Sequence, residues 1–223
     1  MKVAKSLPIG VHGSSKMDRL VIKTEELCKI YKMTQTIADI QRRFMHLIGN
    51  EYTLPITSNK GLPGSFLEEL LGIPHTPNAL DCSDGELKTF PVKKLKKGKL
   101  VPKESMAITM LSKEDLQECD FEKSKCYNKM KKMYVVPYYR DGDKVKFMNP
   151  KLIDKESSEF EELYNILESD YNEIRKRYVE TGELKSEIGK LLQNRTKGAG
   201  HGSTSRAFYV RPEFMKQYVP LSS

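Results

Sequence analysis

A single α/β (α+β) domain, a mixed β-sheet flanked by helices, is the fold this chain predicts, and three observations predict it. Strand-like segments recur at 86–92, which alternates polar and apolar residues, at 105–111 and 133–139, which read as buried strands, and at 144–148. Between and around them lie segments whose apolar residues recur at steps of three and four, the mark of amphipathic helices. No internal repeat and no linker-like composition divides the 223 residues, a length that one core can fill.

Taken in order, residues 1–15 mix Gly, Pro, Ser and His without a period and read as a loosely ordered arm, leaving 16–223 as the domain. Two short helices follow, 17–32 through Leu20, Leu27 and Ile30, and 34–47 through Ile37, Ile40 and Phe44. The polar run 57–61 can cap a helix over Pro63 to Leu71, with Pro63 suited to its first turn and Gly72 to its stop. Glu68 and Glu69 adjoin its apolar stripe of Phe66, Leu67, Leu70 and Leu71. The basic run 93–99 reads as a hairpin tip, either solvated or touching phosphate. Residues 121–132 are a lysine-studded helix candidate, and Asp141-Gly142 is the turn that lets 144–148 pair with 133–139. The clearest helix is 158–180, where Phe160, Leu163, Tyr164, Leu167, Tyr171, Ile174 and Tyr178 form one core-facing stripe. A glycine-rich basic loop near 189–210 then leads into a last strand and a short helix at 212–218. The loop lacks the Gly-Lys-Ser/Thr ending of a nucleotide-binding P-loop.

Composition narrows the function classes. With 38% hydrophobic and 30% charged residues, no apolar run of membrane-spanning length and no signal-peptide core, the chain is expected to be intracellular, with no membrane partner. Cysteines at 28, 82, 119 and 126 show neither a Cys-x-x-Cys pair nor zinc-finger spacing, and read as reduced structural thiols. A formal charge of +8 and a pI near 9.1 favour a polyanionic partner.

The stretch 79–92, Ala-Leu-Asp-Cys-Ser-Asp-Gly-Glu-Leu-Lys-Thr-Phe-Pro-Val, carries the chemistry. Asp81 and Asp84 flank a turn-like Cys-Ser, Gly85 allows a sharp bend, and Glu86-Leu87-Lys88 opens a strand. Residues two apart on a strand share a face, so Glu86 and Lys88 point the same way while Leu87 turns into the core. An acid followed by acid-x-Lys on a strand is the arrangement of nucleases of the PD-(D/E)xK type. There, carboxylates hold a hard divalent cation and a lysine helps to activate water at the scissile phosphate.

Together with segments elsewhere, this stretch resembles the MutH family of DNA endonucleases, including the related type II restriction enzymes that cut at GATC. The resemblance runs over roughly residues 50–219. It rests on Lys60-Gly61, Leu67-Glu68, Leu71-Gly72, Asp81, Glu86-Leu87-Lys88-Thr89, Pro91-Val92, Asn128-Lys129-Met130-Lys131, Pro137, Arg195, Lys197 and Arg206-Ala207-Phe208-Tyr209. It implies a restriction-endonuclease-like fold, with Glu68, Asp81 and Glu86 as metal-binding acids, Lys88 as the catalytic lysine and Lys129 as a second lysine near the reacting phosphate. It also implies that Lys60, Arg195, Lys197, Arg206 and Tyr209 approach the DNA. The gap between Asp81 and Glu86 is two residues shorter than in the mismatch-repair members, which makes Asp84 a rival to Asp81. The loop Gly-Ala-Gly-His-Gly-Ser is similar to the restriction branch.

The expected function is therefore Mg2+-dependent hydrolysis of a phosphodiester in double-stranded DNA, with Mn2+ able to substitute, at or near GATC and in a restriction role. Double-strand cutting would call for a homodimer or successive nicks, because the chain holds one such constellation. The alternatives are a strand-nicking mismatch-repair endonuclease and a DNA-binding module that has lost cleavage. Joint presence of Glu68, Asp81, Glu86 and Lys88 weighs against the second.

Overall fold

The structure, a computed structural model, describes residues 35–74, 79–198 and 204–221. The arm expected at 1–15, the helix expected at 17–32, Cys28 and the centre of the glycine-rich loop lie outside the described residues.

Helix α1 (Ile37–Phe44) starts where Thr36 and Asp39 form a reciprocal capping box, and it buries Ile37, Ile40 and Phe44. It is shorter than the expected 34–47. Strand β1 (Glu51–Thr53) leads to helix α2 (Leu62–Leu71), with Pro63 in its first turn and Gly72 ending it at φ 69°. Strands β2 (Glu86–Lys94) and β3 (Leu100–Pro102) form a hairpin, and β4 (Met106–Met110) follows. The lysine-rich segment after it is two short helices, α3 (Lys113–Glu118) and α4 (Lys125–Met130), with a 3-10 turn at Phe121–Lys123 between them. Ser124 breaks the expected continuous helix because its hydroxyl accepts from Tyr127 N–H and so starts α4 afresh. Strands β5 (Lys132–Asp141), β6 (Lys144–Phe147) and β7 (Lys151–Asp154) precede the long helix α5 (Glu161–Thr181), and β8 (Leu192–Thr196), β9 (Arg206–Val210) and α6 (Pro212–Tyr218) close the chain.

The strands make two sheets rather than one. The larger has the order β1-β6-β5-β2-β3, with β7 also on β5; the smaller has the order β4-β9-β8. Only β2 and β5 run parallel among the described pairs, from Glu86 opposite Met133 to Val92 opposite Tyr139. This is a mixed sheet flanked by helices, consistent with the expected restriction-endonuclease-like fold.

Because β2 and β5 are central, each sends side chains into two cores. Leu87, Tyr134 and Val136 meet α1 and α2 on one face, while Phe90, Val92, Met133 and Val135 meet α4, α5 and the small sheet on the other. The predicted stripe of α5 lies in the second core, with Leu163, Tyr164, Leu167, Tyr171 and Ile174 all buried. Among the described residues no helix is long and apolar enough to cross a membrane.

Asp170 ties α5 to the small sheet. Its buried carboxylate accepts from the backbone N–H of Lys190, Leu191 and Leu192 at 2.7–2.8 Å, which sets the entry into β8. Replacing it by Ala strands those donors away from water, a penalty of about 1–3 kcal/mol for each that stays buried. Asp170→Ala should lower the unfolding free energy by at least about 2 kcal/mol in urea titration, whereas Asp170→Asn, which keeps an acceptor, should lose less.

Candidate active site

The parallel pairing of β2 and β5 builds the site. Glu86 and Lys88 lie on the β2 face shared with Phe90 and Val92, at the end of the strand where that face reaches the surface. Lys129 arrives from the last turn of α4, immediately before β5. Its position is held from behind by Tyr164 of α5, whose hydroxyl donates to the Met130 carbonyl at 2.6 Å with the Lys131 carbonyl at 3.1 Å.

Glu86 is 1% exposed, and one carboxylate oxygen, Oε1, accepts from Lys88 Nζ at 2.5 Å and from Lys129 Nζ at 2.6 Å. The other, Oε2, is buried with no hydrogen-bond partner. Such an orphaned anionic oxygen is costly unless a further cation or donor meets it. Asp81 stands beside this cluster, anchored where its Oδ2 accepts from Leu87 N–H at 3.1 Å. Burial and the Glu86 charge push its carboxyl above the usual carboxylate range, against the pull of Lys88 and Lys129.

Asp84 faces elsewhere. Its two oxygens accept from Ile37 N–H and Lys132 Nζ, each at 2.7 Å. Burial raises its pKa, but these hydrogen bonds outweigh burial and hold it below the usual range. Ser83 also donates to the Gln35 carbonyl through both N–H and hydroxyl, so the acidic loop is tied to the start of α1. Gly85 differs from expectation in its reason. Its φ is not positive; a Cβ there would stand 2.7 Å from Ile37 Cγ1 and 2.8 Å from the Lys132 carbonyl oxygen. Close approach, not a bend, demands glycine.

Glu68 lies half-buried on α2, which packs on the Leu87 and Thr89 side of β2. Among the described residues no three His, Cys, Asp or Glu side chains form a group that could hold a metal ion by themselves. The structure thus brings together Asp81, Glu86, Lys88 and Lys129, and does not gather Glu68 into a three-acid cage. A hard cation such as Mg2+ is commonly held by one or two carboxylates, with water and substrate phosphate completing its shell. Asp81 and the orphaned Oε2 of Glu86 fit that requirement.

The expected DNA residues divide by strand face. On the paired β8 and β9, Arg195 and Tyr209 lie outward and the Arg195 guanidinium sits 5.7 Å from the Tyr209 ring centroid, in cation–π contact. Lys197 is exposed beyond them, its N–H donating to the Ser205 carbonyl to continue the hairpin. Arg206 instead shares the face of Phe208 and Val210, and its Nε donates to Asn194 Oδ1 at 2.7 Å. That ion is half-buried and structurally engaged. Lys60 is 82% exposed on its side chain and pairs with Glu104 at 3.1 Å.

Sequence reading passed over Gln193. It lies opposite Tyr209 in the register, is 4% exposed, and donates from Nε2 to Ser105 Oγ at 2.9 Å, linking the outward face to the start of β4. Its spacing of two from Arg195 on one strand was the available signal.

Against known proteins, residues 77–170 match the family model described as the DNA mismatch repair enzyme MutH. The matched stretch contains Asp81, Glu86, Lys88 and Lys129. Over this stretch, less than half of its length, the chain is similar to the MutH family. No curated protein matches the sequence.

The raised Asp81 carboxyl makes a stability prediction. A folded-state pKa above the unfolded one means that the folded protein binds this proton more tightly, so the contribution is favourable in acid and is lost as pH rises through the folded pKa. At neutral pH the charged Asp81 is therefore a burden on the metal-free fold. Asp81→Asn should raise the urea midpoint at pH 7 in chelator, with the gain vanishing below the ordinary aspartate range.

Proposed function

We propose, starting from the MutH-like domain at residues 77–170, that this chain is a divalent-metal-dependent endonuclease that hydrolyses double-stranded DNA at or near GATC, in a restriction role. The single observation that carries the reading is Glu86: a buried carboxylate with one oxygen taken by two lysines and the other orphaned, its charge felt by Asp81. An ordinary strand after a turn has no use for that arrangement.

In this reading Asp81 and Glu86 hold Mg2+ or Mn2+, and Glu68 of α2, which the resemblance implies as a third acid, would have to join them on binding, since it is not gathered with them here. When bound, the cation supplies Lewis-acid charge at the scissile phosphate. Binding a cation calls for the charged form of Asp81, and the positive charge of Lys88 and Lys129 favours that form against burial and the Glu86 charge. Lys88 and Lys129 donate to the negative charge that develops as water adds to phosphorus and the bond to the leaving oxygen breaks. Their shared oxygen keeps both ammonium groups in place before DNA arrives, so little reorganisation is left for the reacting step.

Arg195, Lys197 and Tyr209 form the sequence-reading face, Arg and Lys donating to guanine acceptors and Tyr209 meeting an adenine edge. Arg206 supports that face from below through Asn194, and Lys60 contacts backbone. Each chain carries one Asp81–Glu86–Lys88–Lys129 cluster, so cutting both strands calls for two chains or two successive nicks. A mismatch-repair role, as in the description of the matching family, would instead leave nicks and await activating partners.

Three measurements test the proposal. Plasmid lacking adenine methylation, incubated with the protein alone and Mg2+, should yield ends mapping to GATC; full cutting in excess chelator overturns the mechanism. Lys88→Ala should slow cleavage by at least about 10²-fold while largely sparing DNA affinity, since it removes a transition-state contact rather than a ground-state one. Arg195→Ala should cost about 1–3 kcal/mol in preference for GATC over one-base variants, more than it costs in non-specific binding. Equal losses would make that face a phosphate clamp.

A further inference from the structure

The hairpin between β2 and β3 holds the densest run of lysines among the described residues, five in the seven positions 93–99. It carries Lys93, Lys94, Lys96, Lys97 and Lys99, all exposed, and none has a carboxylate partner among the described residues. Lys60, Lys132, Lys151 and Lys185 do have one, whereas other lysines without one, such as Lys113, Lys155 and Lys190, stand among acids in sequence rather than in a run of their own. From Pro91 to Lys103 the sequence holds six lysines and no acid, and the next acid, Glu104, is taken by Lys60. Gathering five like charges on one turn costs repulsion that a merely soluble tip has no need to bear.

The tip is also built to hold its shape. Lys93 and Lys94 pair with Val101 and Leu100, Leu95 N–H donates to the Lys99 carbonyl at 2.9 Å, and Gly98 N–H donates to the Leu95 carbonyl at 2.8 Å. Gly98 turns the chain at φ 84°. The cations are thus presented on a pre-formed ribbon, which reduces the ordering cost of binding a polyanion.

Its place in the fold sets what it reaches. The segment leaving β3 runs through Lys103 to Ser105, which touches Gln193 beside Tyr209 and Arg195. From Pro102 back to the tip at Lys97 is five residues of chain, or about 16 Å at ~3.3 Å per residue. At ~3.4 Å per base pair, that is about five base pairs, longer than a four-base-pair site.

Resting on the endonuclease reading above, we infer that the β2–β3 hairpin is a prong for phosphates of flanking duplex DNA, outside the sequence the small sheet reads. It supplies affinity without sequence choice, and it makes binding depend on DNA length.

The test is fluorescence anisotropy against salt in Ca2+, with GATC at the centre of duplexes of about 10 and about 30 base pairs. Wild type should show a steeper salt dependence on the longer duplex. Lys93→Gln, Lys94→Gln, Lys96→Gln and Lys97→Gln combined should flatten the slope on the longer duplex by about 2–3.5, at ~0.9 per lost phosphate contact, and leave the slope on the shorter one unchanged. The fourfold Lys→Arg variant, which keeps the charge, should retain the wild-type slope. If the fourfold Gln variant unfolds, Lys96→Gln with Lys97→Gln alone should remove about half the effect. An unchanged slope on the longer duplex in a variant that still cuts DNA overturns the prong and leaves the endonuclease standing. A wild-type protein that neither binds nor cuts either duplex overturns both.

Discussion

Removing a carboxylate from water is among the most expensive things a fold can do, and the arrangement of this protein follows from doing it at Glu86. The charge is tolerable because two ammonium groups converge on one oxygen, and they converge only if strand, helix and loop are held together. Lys88 comes with the strand, by alternation. Lys129 comes from a helix end some forty residues on, and it is correctly placed only while β2 and β5 pair in parallel and α5 braces the end of α4 through Tyr164. Removing any one of these supports leaves a buried charge partly uncompensated, which is worse for stability than having no charge there.

The same constraint explains why the neighbouring acids have such different surroundings. Asp84 is fully occupied by backbone and lysine and serves as a fastening between the acidic loop and α1. Asp81 has a single backbone donor and sits in the field of Glu86. One is satisfied and structural; the other is held in reserve. That contrast, rather than the spacing to Glu86, separates them.

Legibility in the sequence followed locality. Glu86 and Lys88 on one face, Leu87 in the core, Gly72 ending α2 and the apolar stripe of α5 were readable because each depends on a period or a cap within a few residues. The partition of strands into two sheets was not, since β4 alternates in the same way whichever partner it takes, and its partner lies about a hundred residues away. Lys129 had no local signal and entered only through resemblance. Gly85 was read as a bend because close packing by Ile37 and Lys132 is a property of the assembled fold. Arg206 shows a period that was readable but unused: it alternates with Tyr209 and shares the face of Phe208 and Val210.

The second core joins residues of β2, α4, β5 and α5 to residues of β8, β9 and α6 in one continuous cluster. Ribosomes deliver Asp81, Glu86, Lys88 and Lys129 well before Leu192, Phe208, Val210 and Phe214. Yet α4 and α5 alone leave the core over β2 and β5 unfinished until those later residues arrive, and the parallel β2–β5 pairing is itself a long-range closure that gains little until the core backs it. On the function proposed, an unfinished chain would be hazardous if it could cut before it could choose where. A shared core makes the two capacities mature together, so that a chain incomplete at its reading end is also without a working cleavage centre.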